Sequence, residues 1–293
     1  MHNSIKIKPF LKWAGGKRWL VDNFPNIFYY NFNKYIEPFL GSGAVFFHLK
    51  PKKAILSDSN YDLIQTYESI KGEPEKVWKK LLEHSRKHND EYYYKVRASS
   101  PKLSATKAAK FIYLNRTCFN GLYRVNLKGE FNVPKGSKKT VIFPDDDFSK
   151  NSKLLNRAAL CVNDFETIIN KANDNDFIYV DPPYTVKHNK NNFIKYNEKI
   201  FSWKDQVRLS KVLTIAAERG AFILISNANH ESIKQLYSDN LWYKKDVKRH
   251  SIIASKSQYR KKTSEILVSN YEISLDLQSK SVRSDDVKKE IVF

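Results

Sequence analysis

Short apolar runs that end at a turn or an acidic residue alternate with helical segments along most of this chain. The predicted strands cover residues 34–37, 54–56, 160–162, 177–180 and 221–225, and a helix is predicted at about 202–219. Strands that alternate with helices favour an α/β fold with a mostly parallel sheet. Ligands of such sheets bind beyond the carboxyl ends of the strands. The residues that follow each apolar run are therefore the first candidates for a functional site.

Residues 73–144 interrupt this alternation. They contain charged helical segments followed by a turn-rich basic stretch, without alternating strands. We therefore expect one α/β domain built from residues 1–72 and 145–275, with residues 73–144 inserted into it as a second domain. The polar residues 276–293 are expected to form a flexible tail.

The balance of charge favours a polyanionic partner. The 293-residue chain has 51 Lys and Arg residues against 31 Asp and Glu residues, which gives a formal net charge of +20. Phosphate contacts dominate the affinity of proteins for nucleic acids, so such a surplus is typical of a nucleic-acid-binding protein. An AT-rich coding sequence produces the same abundance of Lys, so the position of the charges matters more than their sum. The basic cluster at residues 244–262 is a candidate for phosphate contacts, or else a solvated loop.

Cysteine spacing and hydropathy argue against several classes of protein. Cys118 and Cys161 have no Cys or His neighbours at metal-ligand spacing, so we expect neither a disulfide framework nor a metal site. No apolar run approaches the length of a membrane span, and no signal peptide is recognisable. We therefore expect a cytoplasmic protein without a membrane partner.

The tetrapeptide Asp181-Pro182-Pro183-Tyr184 follows the apolar run 177–180 directly. The two prolines fix φ and lack an N–H group, so they form a stiff turn between a carboxylate and an aromatic ring. Such a turn can hold the exocyclic amino group of a nucleobase by hydrogen bonds and stacking. The same four residues also occur as an ordinary turn that ends a strand.

A second pattern predicts a cofactor site. Gly41 and Gly43 lie between the first predicted strand and a helix, where glycine lets a ligand approach the backbone closely. Asp58 follows the next strand, at the position of a ribose-binding carboxylate. The turn lacks the third glycine of pyrophosphate-binding loops, which favours a cofactor with ribose and no phosphate, S-adenosylmethionine. Lys17, behind the Gly15-Gly16 pair, is then a candidate cation for the cofactor's carboxylate, or a solvated surface charge.

In motif, order and spacing, the chain resembles the DNA adenine-N6 methyltransferase (Dam) family over about residues 8 to 271. The segments that carry the resemblance are FLKWAGGK at 10–17, EPFLGSG at 37–43, LSDSN at 56–60, YLNRTCFNGLYR at 113–124, KGEFNVP at 128–134, DPPY at 181–184 and LISN at 224–227. The resemblance implies a Rossmann-like S-adenosylmethionine-dependent methyltransferase sheet. It also implies that residues 73–144 form a mainly helical DNA-recognition domain carrying a β-hairpin at about 120–134.

The resemblance also implies roles for individual residues. The cofactor would be bound by Trp13, Lys17, Glu37, Gly41, Gly43, Asp58, Asp164, Phe165 and Asp181. The target base would be held by Asp181, Pro182, Pro183 and Tyr184. By this resemblance, double-stranded DNA would be contacted by Phe119, Asn120, Leu122, Arg124 and Pro134, while Arg116, Lys248, Arg249 and Arg260 are candidate contacts on their charge.

Within the reading segment, Arg124 is expected to contact a guanine of GATC and Phe119 to wedge into the duplex. Arg116 and Arg124 are alternatively phosphate clamps or internal salt-bridge partners, and Phe119 is alternatively a core residue. The expected reaction is methyl transfer to adenine N6 after base flipping, by direct displacement. Two other functions fit parts of the pattern: an RNA or protein-glutamine methyltransferase, and a DNA-binding module without catalytic activity.

Overall fold

A seven-stranded mixed sheet forms the centre of the computed structural model, which describes residues 7–121, 123–126, 129–186, 201–250 and 262–275. The strands are β1 Tyr35–Glu37, β2 Ala54–Ser57, β3 Ala158–Cys161, β4 Phe177–Val180, β5 Phe222–Ala228, β6 Tyr243–His250 and β7 Lys262–Ser269. Their order is β3-β2-β1-β4-β5-β7-β6. Strands β1 to β5 are parallel, whereas β7 pairs antiparallel with both β5 and β6. This confirms the predicted α/β fold with a mostly parallel, Rossmann-like sheet.

Helices occupy most of the segments between the strands. In the described residues they are α1 Arg18–Asn23, α2 Ala44–Leu49, α3 Tyr61–Gly72, α4 Pro74–Lys87, α5 Asp90–Ala98, α6 Ser104–Thr117, α7 Phe148–Leu155, α8 Phe165–Ile169, α9 Trp203–Glu218 and α10 Glu231–Leu236. Short 3-10 turns cover Pro25–Ile27 and Phe119–Gly121. Asn60 accepts a hydrogen bond from the Leu63 backbone N–H and so begins α3. Ser202 and Asp205 form a capping box that begins α9, which confirms the helix predicted there.

Both faces of the sheet are covered by apolar side chains. On one face Tyr35, Phe177 and Leu224 belong to a large cluster, and their chain neighbours Ile36, Ile178 and Ile223 belong to a cluster on the other face. This alternation follows from the two-residue period of a strand. Burial on both faces explains why β4 and β5 appear as continuous apolar runs in the sequence.

The segment 73–144 is helical in its first part, as predicted, because it contains α4, α5 and α6. Buried residues of these helices, among them Val77 and Ile112, belong to the same hydrophobic cluster as Tyr35 of the sheet. In the described part of 120–134, one antiparallel bridge joins Val125 to Phe131. The predicted hairpin is therefore a bridged loop rather than a regular ladder. The assignment of 73–144 as a separate domain stays a prediction.

The chain leaves β1 and β4 in opposite directions along the sheet. The chain continues from β1 to its neighbour β2 and from β4 to its neighbour β5, while β1 and β4 pair with each other. A change of direction of this kind opens a crevice at the carboxyl ends of the two strands. The residues after Glu37 and Val180 enter that crevice. No helix among the described residues is long and apolar enough to cross a membrane.

A half-buried histidine lies among the helices of the inserted segment. His84 of α4 makes a 2.9 Å hydrogen bond with the Tyr92 hydroxyl and stacks on Tyr113 of α6, with ring centroids 4.9 Å apart. Burial lowers its pKa from 6.5 to about 4. The native state therefore binds this proton less readily than the unfolded chain does.

We expect the free energy of unfolding to fall as the pH drops from about 6.5 towards 4, because in this window the unfolded state takes up more protons at His84. A tenfold difference in proton affinity is equivalent to about 1.4 kcal/mol, so the loss of stability is at most roughly 3 kcal/mol. Urea unfolding at pH 7.5 and pH 4.5 measures it. A His84→Phe variant should lose less stability between these two pH values than the wild type. Equal losses in both proteins would contradict the assignment.

Candidate active site

A cleft of about 390 Å³ opens where β1, β2 and β4 end. Its walls are residues 13–17, the turn at 39–42 with the start of α2, residues 58–60, and the tetrapeptide 181–184. The volume lies within the range of small-molecule and cofactor sites. The structure thus brings together the two motifs that the sequence analysis assigned to cofactor and base.

The turn after β1 depends on glycine. Gly41 has a φ of +48°, and a Cβ atom on it would lie 2.7 Å from Cδ1 of Trp13. The Gly41 N–H donates a 3.0 Å hydrogen bond to Oδ2 of Asp58, and the Asn60 N–H donates one to Oδ1. Gly43, with a φ of +63°, begins α2 and does not line the cleft. Asp58 therefore anchors the glycine turn to the next strand, and its oxygens retain capacity for further donors.

The carboxyl groups of the cleft have perturbed pKa values. Burial raises the pKa of Asp58, although the backbone N–H groups of Asn60 and Gly41 oppose the shift. Burial also raises the pKa of Glu37 well above its usual range, and the nearby charge of Asp181 adds to the effect. The Tyr35 hydroxyl donates a 2.9 Å hydrogen bond to Oε2 of Glu37. Buried titratable groups with shifted pKa values in a cleft are typical of functional sites.

The tetrapeptide is anchored by a buried lysine. The Lys17 ammonium lies 2.8 Å from Oδ1 of Asp181 and 2.9 Å from the Tyr184 hydroxyl, and it donates to the Gly15 carbonyl at 3.0 Å. Oε2 of Glu265 lies 3.4 Å from the same nitrogen. The side chain of Lys17 is 3% exposed. This differs from the expectation that Lys17 pairs with a cofactor carboxylate, because its ammonium already faces two carboxylates of the protein.

Trp13 forms one wall of the cleft and contacts the inserted segment. Its ring stacks on Phe111 of α6 and on Tyr123 of the bridged loop, at interplanar angles of 20° and 18°. Tyr123 and Arg124 themselves line the cleft. The segment predicted to read DNA therefore meets the segment predicted to bind the cofactor.

Asp164 and Phe165 lie outside the cleft lining. Asp164 caps α8 by accepting from the Glu166 N–H, and its carboxylate pairs with Arg208 at 2.6 Å, which lowers its pKa. Phe165 is buried and stacks on Phe39, which does line the cleft. Neither residue lines the cleft, so their contact with the cofactor stays a prediction; Phe165 contacts the cleft wall through Phe39.

The predicted DNA-reading residues are mostly exposed. Phe119 is 52% exposed, which does not fit the alternative of a core phenylalanine. Asn120 is exposed with a φ of +56°, and the exposed Pro134 accepts a 2.9 Å backbone hydrogen bond from Phe119. Arg124 is exposed at the rim of the cleft, where its Nε donates to Oδ1 of Asn132. Leu122 lies outside the described residues.

The assignment of Arg116 to DNA is wrong. Arg116 is fully buried, and its guanidinium pairs with the carboxylate of Asp146 at 2.5 and 2.7 Å. It also donates to the backbone carbonyls of Phe10 and Val141. The N–H groups of the Arg116 guanidinium therefore bond to partners within the protein. The alternative of an internal salt bridge is the correct interpretation.

Of the predicted phosphate contacts, Lys248 is exposed on β6. Arg249 follows it in the same strand, and Arg260 lies outside the described residues. No group of three or more His, Cys, Asp or Glu residues that could hold a metal ion occurs in the described part of the chain.

The sequence analysis missed Glu265, which lies near Lys17 and Tyr184 behind the cleft. The only signal in the sequence was a single acidic residue immediately before the apolar run 266–268. A lone acidic residue beside an apolar run does not by itself indicate a buried ion pair with a lysine far away in the sequence. Tyr123 was also not predicted as a site residue; it appeared only within the segment 113–124 that carries the family resemblance.

Comparison with known proteins identifies the family. The family of D12 class N6 adenine-specific DNA methyltransferases matches residues 13–251. The Type II methyltransferase M1.LlaDCHI of Lactococcus lactis subsp. cremoris is 37% identical over 278 residues, covering 92% of this chain and 97% of that protein. The Type II methyltransferase M.MjaIII of Methanocaldococcus jannaschii is also 37% identical, with coverages of 91% and 100%. The DNA adenine methylase of Haemophilus influenzae is 34% identical, with coverages of 90% and 93%.

The chain belongs to the D12 class N6 adenine-specific DNA methyltransferases. This confirms the resemblance to the Dam family and the prediction of an enzyme that methylates adenine in DNA. Family membership is consistent with a cleft that is lined by residues 181–184.

Replacing Arg116 with Met should destabilise the protein by about 3–5 kcal/mol, because the substitution leaves Asp146 buried without its cation. Urea unfolding measures this loss. Folded Arg116→Met protein should retain the sequence preference of the wild type in a methylation assay. A changed preference with little loss of stability would restore the DNA-contact assignment.

Proposed function

We propose that this enzyme transfers a methyl group from S-adenosylmethionine to N6 of the adenine in GATC, after flipping that base out of the duplex. The observation that carries this proposal is the position of Asp181 and Tyr184 in the same cleft as Gly41 and Asp58. The carboxyl ends of the parallel strands thus bring together a turn suited to hold a base, at 181–184, and a turn suited to hold a nucleoside, at Gly41 and Asp58. Family membership supports the class of substrate and reaction.

The cleft fits S-adenosylmethionine in shape and charge. Gly41 leaves the turn without a side chain where one would collide with Trp13, and Asp58 beside it is suited to accept from ribose hydroxyl groups. Glu37, Asp58 and Asp181 supply acidic groups to the walls. S-adenosylmethionine carries a sulfonium and an ammonium against one carboxylate, and Asp58 offers a carboxylate to such cations in a lining that also contains Lys17 and Arg124. When bound, it supplies an electrophilic methyl group.

The tetrapeptide would orient the amino group of the target adenine. The Asp181 carboxylate and the Pro182 carbonyl are suited to accept the two hydrogens of N6, and the Tyr184 ring offers a stacking surface. Hydrogen bonds to both hydrogens turn the nitrogen lone pair out of conjugation with the ring. In that orientation N6 would form the bond to the methyl carbon as the sulfur–methyl bond breaks, the thioether would leave, and N6 would give up one proton; orientation accounts for much of the rate.

No cysteine nucleophile is needed for this reaction. Burial raises the pKa of Cys118 to about 11, so its thiol is protonated at neutral pH. Neither Cys118 nor Cys161 lines the cleft. Both facts favour direct displacement over a route through a covalent enzyme-base adduct.

Recognition of DNA is assigned to the bridged loop and to β6. Arg124 is exposed beside the cleft and has the planar fork that pairs with O6 and N7 of guanine. Phe119 projects an exposed ring from the start of the same segment, suited to fill the gap left by a flipped base. Lys244, Lys245 and Lys248 are exposed on β6, where ammonium groups can follow the phosphate backbone.

Incubation with methyl-labelled S-adenosylmethionine tests the reaction. The wild type should label adenine N6 in a duplex containing GATC and leave GTTC and GACC duplexes unlabelled. Asp181→Ala should lose at least about 100-fold in rate, since one misplaced acceptor disturbs the attack geometry. Label on RNA or on protein glutamine, with none on DNA, would instead support the rival methyltransferase classes.

Replacing Arg124 with Ala should relax discrimination at one guanine of the site. A lost bidentate contact costs about 1–3 kcal/mol of discrimination against the wrong base. Methylation rates on GATC and on its single-guanine variants measure the effect. The matched control is Lys248→Ala, which should weaken binding to all sequences alike and reduce the salt dependence. Unchanged preference in Arg124→Ala would remove this residue from the reading surface.

A further inference from the structure

A second carboxylate lies behind the tetrapeptide. Glu265 of β7 is 3% exposed, and its Oε2 lies 3.4 Å from the Lys17 ammonium. Glu265 also lies beside Tyr184, whose pKa is raised by burial first, then by the charges of Asp181 and Glu265. Glu265 therefore contacts the two groups that hold Asp181 and the aromatic ring of the cage.

Glu265 is a charged residue in a buried part of β7. It precedes the apolar residues Ile266, Leu267 and Val268 in a strand that is buried between β5 and β6. An ionised carboxylate in such a place costs several kcal/mol unless it is paired. An apolar side chain would complete the strand at less cost. A role of the Glu265 carboxylate in holding the residues of the cleft would explain why a charged residue occupies this position.

The groups around Lys17 indicate the role of Glu265. A lysine ammonium has three donors, and Asp181, the Tyr184 hydroxyl and the Gly15 carbonyl surround that of Lys17, so Glu265 at 3.4 Å is a fourth, charged neighbour. Asp181, which follows β4, and Glu265 of β7 face the ammonium, while the Gly15 carbonyl accepts from it at 3.0 Å. Held between them, the nitrogen stays within 2.9 Å of the Tyr184 hydroxyl.

We infer that Glu265 is a positioning residue for the methyl transfer: it fixes the Lys17 ammonium and the Tyr184 hydroxyl, and through them the Asp181 carboxylate that orients the adenine amino group. The inference rests on the proposed function of residues 181–184. Glu265 is not among the residues that line the cleft, so it acts through its neighbours.

The antiparallel direction of β7 makes this contact possible. Glu265 is paired with Ala228 at the carboxyl end of β5, which is the edge where the cleft opens. A parallel strand in this place would present its own carboxyl end there. The amino-terminal half of β7 therefore places the Glu265 side chain next to Lys17, at the end of the sheet where the cleft lies.

A double-mutant cycle tests the inference. Glu265→Gln keeps the size of the side chain and removes its charge, and we expect the single-turnover rate to fall by about 10- to 100-fold. Affinity for the GATC duplex should stay within about threefold of wild type, because no DNA contact is removed. The matched control is Glu272→Gln, an exposed residue of the same charge beyond β7, which should leave the rate unchanged.

Lys17→Met and the double variant Lys17→Met/Glu265→Gln complete the cycle. If Glu265 acts mainly through Lys17, the double variant should react about as fast as Lys17→Met alone. Glu265→Gln leaves the Lys17–Asp181 pair intact, whereas the double variant leaves Asp181 without its cation, so urea unfolding of each variant is measured beside its rate. A rate loss equal to the product of the two single losses, or a normal rate in folded Glu265→Gln, would overturn the inference.

Asp181→Ala in the same assay separates the two proposals. Activity retained in Asp181→Ala would remove the proposed role of the tetrapeptide and the Glu265 inference with it. Loss of activity in Asp181→Ala, together with independent effects of Lys17 and Glu265, would remove only the inference.

Discussion

The pairing of β1 with β4 is the constraint on which the site depends. Because the chain leaves these neighbouring strands towards opposite sides, no connection crosses the edge between them, and a crevice stays open. Both strands are buried on either face and cannot shift in register without exposing apolar side chains. The residues that follow Glu37 and Val180 are thus held at a fixed separation, and the glycine turn and the tetrapeptide face each other across it.

Buried charge holds the two sides of this crevice together. The Lys17 ammonium joins the segment before α1 to the end of β4, and Asp58 joins the glycine turn to the end of β2. Each contact joins two segments that are distant in the sequence through a buried polar group. Buried polar groups stabilise a structure only if all of their hydrogen bonds are satisfied. The cleft is consequently a preorganised polar surface inside an apolar sheet, which is the arrangement that electrostatic catalysis requires.

Local patterns predicted the elements well, and tertiary packing decided the rest. The apolar run 177–180 and the helical segment at about 202–219 were predicted correctly, because their signals lie within a few residues. Arg116 and Arg124 are alike in sequence, yet one is enclosed by Asp146 and the other is exposed. That difference depends on how α6 packs against residues far along the chain. Glu265 escaped notice for the same reason, since its partner Lys17 is near the other end.

The reversed strand β7 has a consequence for how this protein becomes active. Domains fold as the ribosome supplies their residues, beginning from the amino terminus. The crevice between β1 and β4, with its glycine turn and tetrapeptide, is complete once β5 is made. Glu265 is made only with β7, after β6 has been synthesised. A nascent chain can therefore pair β1 with β4 and β5 before Glu265 is available to face Lys17.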